Sequence, residues 1–265
     1  MLELTPIENS LFASLYSRIY VSNHYPDIFY DEKAMALAHL LPQDASFDSS
    51  KHHRALIASA VGTYNMDCKI QDFIRHNPDA VIVQLGCGLD TSYFRNSTWH
   101  QTWYEIDTPS VIELRNKYIE PTSHDIAMAH DIFDLSWLDT IRQRFATEPI
   151  LLAADKLLYL YSQDQVIDFL EKLSHYEGIT LVCDAFTDKG CTESLSYVQP
   201  FMAEGQSMPF VVNDIEELSK QIGAKDVQED SFFRHVDILD ISWSMFFAMH
   251  KSDKQHQLKM ITIKF

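Results

Sequence analysis

Two regimes of hydrophobic patterning divide the chain near residue 80. Before it, apolar residues recur at helical spacing: Leu4, Ile7, Leu11, Leu15 and Ile19 in one run, Met66, Ile70, Phe73 and Ile74 on one face of another. Between them DEKAMALAHLL opens with acids, which suit the positive end of a helix dipole, and Pro42 is expected to close it. LPQDASFDSS is the longest polar break, and Pro78 is expected to stop the helix that follows it.

From Ala80 onward the pattern changes to short apolar runs separated by helical stretches. Strands are expected over 80–85, 102–106, 126–130, 150–154 and 179–183. TPSVIELRNKYI has Thr108 as a cap and Pro109 at the first helical position; SQDQVIDFLEKLSHYEG has Ser162 and Gln165 at capping-box spacing and Gly178 as a stop. NDIEELSKQIG has Asn213 and Glu216 at cap spacing, and QLKMITIKF alternates as a terminal antiparallel strand. The reading is an α/β fold with a mostly parallel sheet, helices on both faces and binding at the C-terminal ends of the strands. Residues 1–79 form a mainly helical N-terminal cap and 80–265 the ligand-binding domain. Within the latter, 184–212 is too long for a simple connection, and its Phe186, Tyr197, Phe201, Met202, Met208 and Phe210 mark it as a packed, substrate-covering insertion.

Charge narrows the partners. Lys plus Arg number 21 against 38 Asp plus Glu, a formal net charge of −17, which repels phosphate backbones and anionic lipid. Nucleic acid and membrane surfaces are therefore not expected partners, while a small anionic ligand needs a local basic group. Cys68, Cys87, Cys183 and Cys191 form no C-x-x-C pair and read as reduced thiols. MLELTPIENS has no basic n-region of a signal peptide, no apolar run reaches membrane-span length, and a cytoplasmic protein is expected. The scattered histidines lack metal-site spacing, so no metal is expected, and nothing in the pattern sets an oligomeric state.

The candidate chemistry starts at VIVQLGCGLDT. Gly86 and Gly88 follow an apolar strand, where missing side chains let a ligand approach the backbone. A dinucleotide fingerprint would carry a third glycine at position 91, where this chain has Thr91. In WYEID, Glu105 and Asp107 stand 19 and 21 residues beyond Gly86, the distance at which an acid accepts from ribose hydroxyls; helix capping is the alternative for Asp107. Asp131 and Ile132, after the third strand, offer a carboxylate for an adenine amino group and an apolar wall, with a turn role the alternative for Asp131. These groups in order favour an adenosine-containing ligand. The missing third glycine favours S-adenosylmethionine, which has no pyrophosphate, over NAD.

The strings SLYSRIYVSNHYPDIFYDEKA, DAVIVQLGCGLDTSYFR, WYEIDTPSVIELRNKYI, PILLAADKLLYL and LVCDAF resemble the leucine carboxyl methyltransferase superfamily, on its branch of tetracenomycin-type polyketide O-methyltransferases. The resemblance covers most of 11–184. It implies a class I S-adenosylmethionine-dependent methyltransferase fold (Rossmann-like, with an antiparallel terminal strand) and a helical N-terminal cap. It places Gly86, Gly88 and Asp90 at the methionine end, Asp107 at the ribose, and Asp131 with Ile132 at the adenine. Asp90 could accept from the cofactor's α-ammonium group, a solvated turn acid being the alternative, and Arg18 offers a positive charge to a carboxylate.

Three positions depart from the family pattern. Its Arg-Thr ahead of the aspartate matching Asp67, with the Arg binding the cofactor carboxylate, is here Gly62-Thr63; its D-T-R is Asp90-Thr91-Ser92. The Glu of A-E-G-x-L-M-Y-L is Ala154, with Asp155 one residue later. Either Asp155 takes over that polar role or the pocket has been remade. Asp155 and Tyr159, following the fourth strand, are the expected substrate-side groups. The function expected is O-methyl transfer from S-adenosylmethionine to a carboxylate or a phenolic or hydroxyl oxygen of a small aromatic or polyketide-like molecule. A catalytically lapsed binding or partner protein is the main alternative, and a nicotinamide-dependent oxidoreductase a distant one.

Overall fold

The short apolar runs from residue 80 onward become the centre of one seven-stranded sheet, and its order places the site. The computed structural model describes residues 6–40, 49–97, 101–202, 205–236 and 241–265. The strands are β1 (Val81–Leu85), β2 (Thr102–Asp107), β3 (Asp125–Ala129), β4 (Ile150–Ala154), β5 (Ile179–Phe186), β6 (Asp226–Ser231) and β7 (Leu258–Lys264). Among the described residues the helices are α1 (Pro6–His24), α2 (Glu32–Ala36), α3 (Ser49–His76), α4 (Ser92–Asn96), α5 (Pro109–Tyr118), α6 (Ser136–Arg144), α7 (Gln163–Leu173), α8 (Asp188–Glu193), α9 (Ile215–Ile222) and α10 (Trp243–Lys254).

The sheet order is β3-β2-β1-β4-β5-β7-β6. β1 to β5 pair in parallel, and β7 runs antiparallel to both β5 and β6. Strand order reverses between β1 and β4, the switch point beside which open α/β sheets bind ligands.

Alternation along each central strand sends side chains to two cores. Val81, Val83, Leu85, Leu152 and Ala154 pack with Trp137, Phe169 and Leu218 of α6, α7 and α9. Ile82, Leu151 and Ala153 face the other way, onto Ile57, Met66 and Ile70 of α3 and Met249 of α10. Phe12, Leu15 and Ile19 of α1 join Leu89 in a third cluster, which seats α1 against the turn after β1.

The capping expectations divide. Ser162 accepts from the Gln165 N–H, as its spacing implies, but α7 ends at Leu173 with Ser174 as cap, and Gly178, at φ 70°, belongs to the turn before β5. Asp214, rather than Asn213, caps α9; Asn213 instead hydrogen-bonds Asp188 at 2.7 Å. Asp31 caps α2, which ends at Ala36 before a 3₁₀ turn at Ala38–Leu40. Leu4 and Pro42 lie outside the described residues.

β5 runs three residues past the expected end because β7 pairs with it as far as Phe186. The stretch from Asp184 therefore begins as strand and continues as α8 and two 3₁₀ turns, Leu195–Tyr197 and Gln199–Phe201. Phe210 packs into the core of α6, α7 and α9, whereas Val198, Phe201 and Met202 border the cavity described next. Among the described residues no helix is long and apolar enough to cross a membrane, and no three His, Cys, Asp or Glu side chains are grouped to hold a metal ion.

Candidate functional site

The turn after β1 is held in a conformation that only glycine adopts easily. Gly86 and Gly88 have φ of 60° and 46°. A Cβ at Gly86 would lie 2.5 Å from Leu157 Cδ1, and one at Gly88 2.6 Å from Leu11 Cδ2. The Gly88 N–H donates to Asp107 Oδ2 at 2.9 Å, and the Thr108 N–H to Asp107 Oδ1 at 2.8 Å. The carboxylate at the end of β2 is thereby locked to the glycine turn, with one lone pair on each oxygen left for a ligand. Burial raises the Asp107 pKa, and the two N–H groups oppose that rise.

A cavity of about 370 Å³ opens over this turn, at the C-terminal ends of β1 to β4. Arg18, Gly86, Gly88, Asp90, Asp107, Asp131, Ile132, Asp155 and Tyr159 all border it. Leu11 and Ser14 of α1 close one side, so the helical N-terminal segment completes the site.

Glu105 and Ala154, expected beside the cofactor, do not border the cavity. Ala154 is fully buried in the core, and Asp155 beyond it reaches the cavity instead. Glu105 lies two residues short of the end of β2, 1% exposed, with Oε1 3.3 Å from Arg115 Nη2. Arg115 Nη1 in turn donates to the Gly88 carbonyl at 3.1 Å and the Asp90 carbonyl at 2.6 Å. Glu105 therefore supports the glycine turn from behind through Arg115.

Burial, with the nearby Asp125 carboxylate adding to it and Arg115 opposing, pushes the Glu105 pKa up to about 8. A carboxyl whose folded pKa lies above its unfolded value stabilises most below the unfolded value and loses that contribution as pH rises through the folded one. Stability is thus expected to decline between about pH 4.5 and 8 through this group. Glu105→Gln, which keeps an acceptor for Arg115, is expected to flatten that decline; melting curves across this range read it, and identical slopes would remove Glu105 as its source.

Beneath Asp90 lies a buried ionic network. Arg95 contacts Asp67 at 2.7 Å, Asp31 at 2.7 Å and Asp90 at 3.3 Å, and Arg18 contacts Asp31 at 3.2 Å and Asp90 at 3.8 Å. Arg18 also donates to the Leu89 carbonyl at 2.7 Å. Burial alone would raise the Asp90 pKa, but Arg95, Arg18, Lys156 and Arg115 together hold it well below the ordinary carboxylate range. The network ties α1, α2, α3 and α4 to the glycine turn. Arg18 borders the cavity with its guanidinium already engaged by protein acceptors.

A second polar group forms past β4. Lys156 takes a left-handed backbone (φ 57°), and its ammonium donates to Asp155 Oδ2 and, at 3.0 Å, to Thr63 Oγ1. Asp155 Oδ1 is buried without a hydrogen-bond partner, on a side chain 4% exposed. The Lys156 N–H donates to Asp184 Oδ1 at 2.8 Å. Burial and the nearby Asp155 charge push the Asp184 pKa up to about 7, against the pull of Lys156. Burial, helped by Asp184 and Asp155, raises the Tyr159 phenol well above its usual value, so it stays protonated and serves as a hydrogen-bonding group rather than a base. A Cβ on Gly62 would lie 2.8 Å from Phe232 Cζ and 3.7 Å from Asp155 Oδ1. Phe232 therefore occupies the space into which a side chain at position 62 would point.

Sequence reasoning gave Lys156, Leu11 and Ser14 no part in this region, and placed Asp184 there only as the start of the covering segment 184–212. Lys156 stood beside a chosen residue, and Asp184 followed an expected strand; no pattern marked α1 as a wall.

With this geometry in view, the model of the leucine carboxyl methyltransferase family matches residues 7–173, more than half of the chain. The chain belongs to this family. The tetracenomycin polyketide synthesis O-methyltransferase TcmP of Streptomyces glaucescens is 28% identical over 168 residues, 62% of this chain and 60% of that protein. The aligned stretch thus spans less than two thirds of that relative's length. A DUF574 family protein from Streptomyces avermitilis superposes with a TM-score of 0.59 at 13% identity, covering 94% of this chain and 96% of that one. Human N-acetylserotonin methyltransferase, solved with S-adenosylmethionine, superposes with a TM-score of 0.51 at 11% identity, covering 99% of this chain and 72% of its own. These superpositions establish the fold, that of class I S-adenosylmethionine-dependent methyltransferases. The family's cofactor, S-adenosylmethionine, fits the glycine cradle, the Asp107 lone pairs and the unpartnered Asp155 oxygen.

Proposed function

We propose that the protein is an S-adenosylmethionine-dependent O-methyltransferase acting on a small-molecule acceptor that carries an aromatic or polyketide-like body. The observation that carries this reading is Asp107. Its carboxylate is fixed by the Gly88 N–H at the rim of a cavity over the sheet's switch point. In this reading Asp107 binds the ribose, and Asp131 with Ile132 borders the adenine. Gly86, Gly88 and Asp90 lie toward the methionine end, while Asp155 and Tyr159 stand on the acceptor side. The bound cofactor supplies an electrophilic methyl group on a sulfonium centre. The chain aligns the acceptor oxygen with that group and keeps water out, Val198, Phe201 and Met202 providing the apolar cover.

The departures at Gly62 and Ala154 are consistent with a remade pocket. Asp155 restores a buried carboxylate one residue along, and Lys156 brings an ammonium to the Thr63 hydroxyl. The test is calorimetric titration with S-adenosylmethionine, S-adenosylhomocysteine and NAD, followed by transfer of tritiated methyl to a panel of aromatic acids and phenols. Tight binding of the first two, with transfer to a panel member, is expected; Asp155→Ala should lower transfer by about 100-fold or more. Tighter binding of NAD would overturn the assignment. Cofactor binding without transfer to any panel member, unchanged in Asp155→Ala, would identify a catalytically lapsed binding protein instead.

A further inference from the structure

We propose that Lys156 anchors the α-carboxylate of the cofactor, its ammonium and the Asp90 carboxylate bracketing the cofactor's amino-acid end. This rests on the methyltransferase reading above and adds to it the group that holds the cofactor's negative charge.

S-adenosylmethionine carries a carboxylate on its amino-acid end, and the cavity opposes one. Asp90, Asp107, Asp131 and Asp155 all border it. A carboxylate brought among four others needs a cation within reach. Among the described residues only Arg18 and Lys156 bring a Lys or Arg side chain to the cavity wall. The Arg18 side chain is 1% exposed, and each of its nitrogens faces a protein acceptor. Nε donates to Asp31 at 3.2 Å, Nη1 to Ser14 Oγ at 3.3 Å and Nη2 to the Leu89 carbonyl at 2.7 Å. The Lys156 side chain is 16% exposed, so it is the cation that can meet a ligand.

The fold sets Lys156 beside the glycine turn. β1 and β4 are parallel neighbours at the switch point, with Gln84 opposite Ala153, so Gly86 and Cys87 leave the sheet next to Asp155 and Lys156. The two turns touch: a Cβ on Gly86 would lie 2.5 Å from Leu157 Cδ1. Lys156 itself holds a left-handed backbone that non-glycine residues rarely adopt, and such strain is concentrated where ligands are held. Its N–H, donated to Asp184 Oδ1 at 2.8 Å, fixes that conformation.

The ammonium's protein partners leave it room to serve a carboxylate. It donates to Asp155 Oδ2, to Thr63 Oγ1 at 3.0 Å and to the Ser59 carbonyl at 3.4 Å. That last carbonyl also accepts from the Thr63 hydroxyl at 3.2 Å, so it keeps a partner when the third proton turns to a ligand. Three donors on a flexible four-carbon stem permit the turn, while Asp155 keeps the ammonium at the wall.

Asp90 supplies the opposite charge. Its Oδ1 accepts from the Ser92 N–H at 2.6 Å and from Arg95 at 3.3 Å. Its Oδ2 has no hydrogen bond among the described residues, Arg18 lying 3.8 Å away, and is open to the cofactor's α-ammonium. Burial would raise the Asp90 pKa, and Lys156 is among the cations, after Arg95 and Arg18, that overcome it. The two charged groups are thus within electrostatic reach of each other.

The experiment titrates three probes by calorimetry: S-adenosylhomocysteine, its decarboxylated analogue, which lacks only the carboxylate, and methylthioadenosine, which lacks the whole amino-acid end. Wild-type protein is expected to prefer S-adenosylhomocysteine over the decarboxylated analogue by about 10- to 100-fold. Lys156→Met should abolish that preference, weakening S-adenosylhomocysteine and leaving the decarboxylated analogue within about twofold. Lys156→Arg, which keeps the charge, should recover part of it. A Lys156→Met variant that keeps the preference, or weakens both ligands alike, overturns the proposal and leaves Lys156 as a partner of Asp155 only. Should Lys156→Met not fold, Asp155→Asn with Lys156→Met removes both charges of the pair and leaves no buried carboxylate without its cation. The preference should be lost there too, and its survival overturns the proposal. Wild-type protein that binds all three probes without preference refutes the anchor alone, whereas binding of none refutes the methyltransferase reading with it.

Discussion

Replacing Arg95 by methionine is expected to destabilise the protein by about 3–5 kcal/mol, a fall in Tm on the order of 10 °C. Arg95 is 8% exposed and contacts three carboxylates, those of Asp31, Asp67 and Asp90. Methionine fills much of the same volume but leaves these charges to Arg18, which reaches only Asp31 and Asp90. The signs of the pKa shifts make the prediction specific. Asp90 is held below its ordinary pKa by its cations, so its stabilising contribution is present at neutral pH and lost as pH falls through the folded value. Asp67 is already raised by burial, with Arg95 opposing, and losing Arg95 would raise it further. The deficit should therefore be largest near neutral pH and shrink in acid, where protonation relieves the unpaired carboxylates. Thermal melts of both proteins at a series of pH values check this; a Tm within about 2 °C of wild type at neutral pH would show that the network contributes little. Arg95→Lys should recover only part of the loss, since one ammonium cannot span three carboxylates as a guanidinium does.

Asp107→Ala is expected to weaken S-adenosylhomocysteine binding by about 1.5–3 kcal/mol, roughly 10- to 150-fold, the cost of losing hydrogen bonds to a charged acceptor. Part of that loss comes from the turn, because the same carboxylate holds the Gly88 and Thr108 N–H groups. Asp107→Asn keeps one acceptor oxygen where the Gly88 and Thr108 N–H groups use two, so it should recover only part of the loss; a lowered Tm marks the turn's share, and weakened binding at an unchanged Tm marks the ribose's. Calorimetry with a melting curve for each variant gives both readouts. Unchanged affinity in a folded Asp107→Ala would take the residue out of the site and return it to helix capping before Pro109.

Much of the fold was legible because its signals are local. β4 is a continuous apolar run and β1 one broken only by Gln84, both buried on both faces, and the helix between β4 and β5 carries a cap that the structure realises at Ser162. β6 was not legible. Its sequence DVQEDS has one apolar residue, because an edge strand is defined by backbone pairing to one neighbour rather than by burial. α6 also went unassigned, although its Trp137, Leu138 and Ile141 are buried.

By itself the sequence determined the glycine turn, the carboxylates at successive strand ends and the family, since each is a short string whose chemistry and spacing are local. Only the tertiary structure decided which of those groups meet. Glu105 and Asp107 are two residues apart on one strand, yet one supports Arg115 from behind the turn and the other reaches the cavity. Asp155 and Asp184 are 29 residues apart in sequence and become neighbours through the register of β4 and β5. Arg18 matched a motif, but the fold surrounds its guanidinium with Asp31, Asp90 and the Leu89 carbonyl. Strand register, burial and competition among neighbours for the same charge are non-local quantities, and they determine which of the legible residues are available to a ligand.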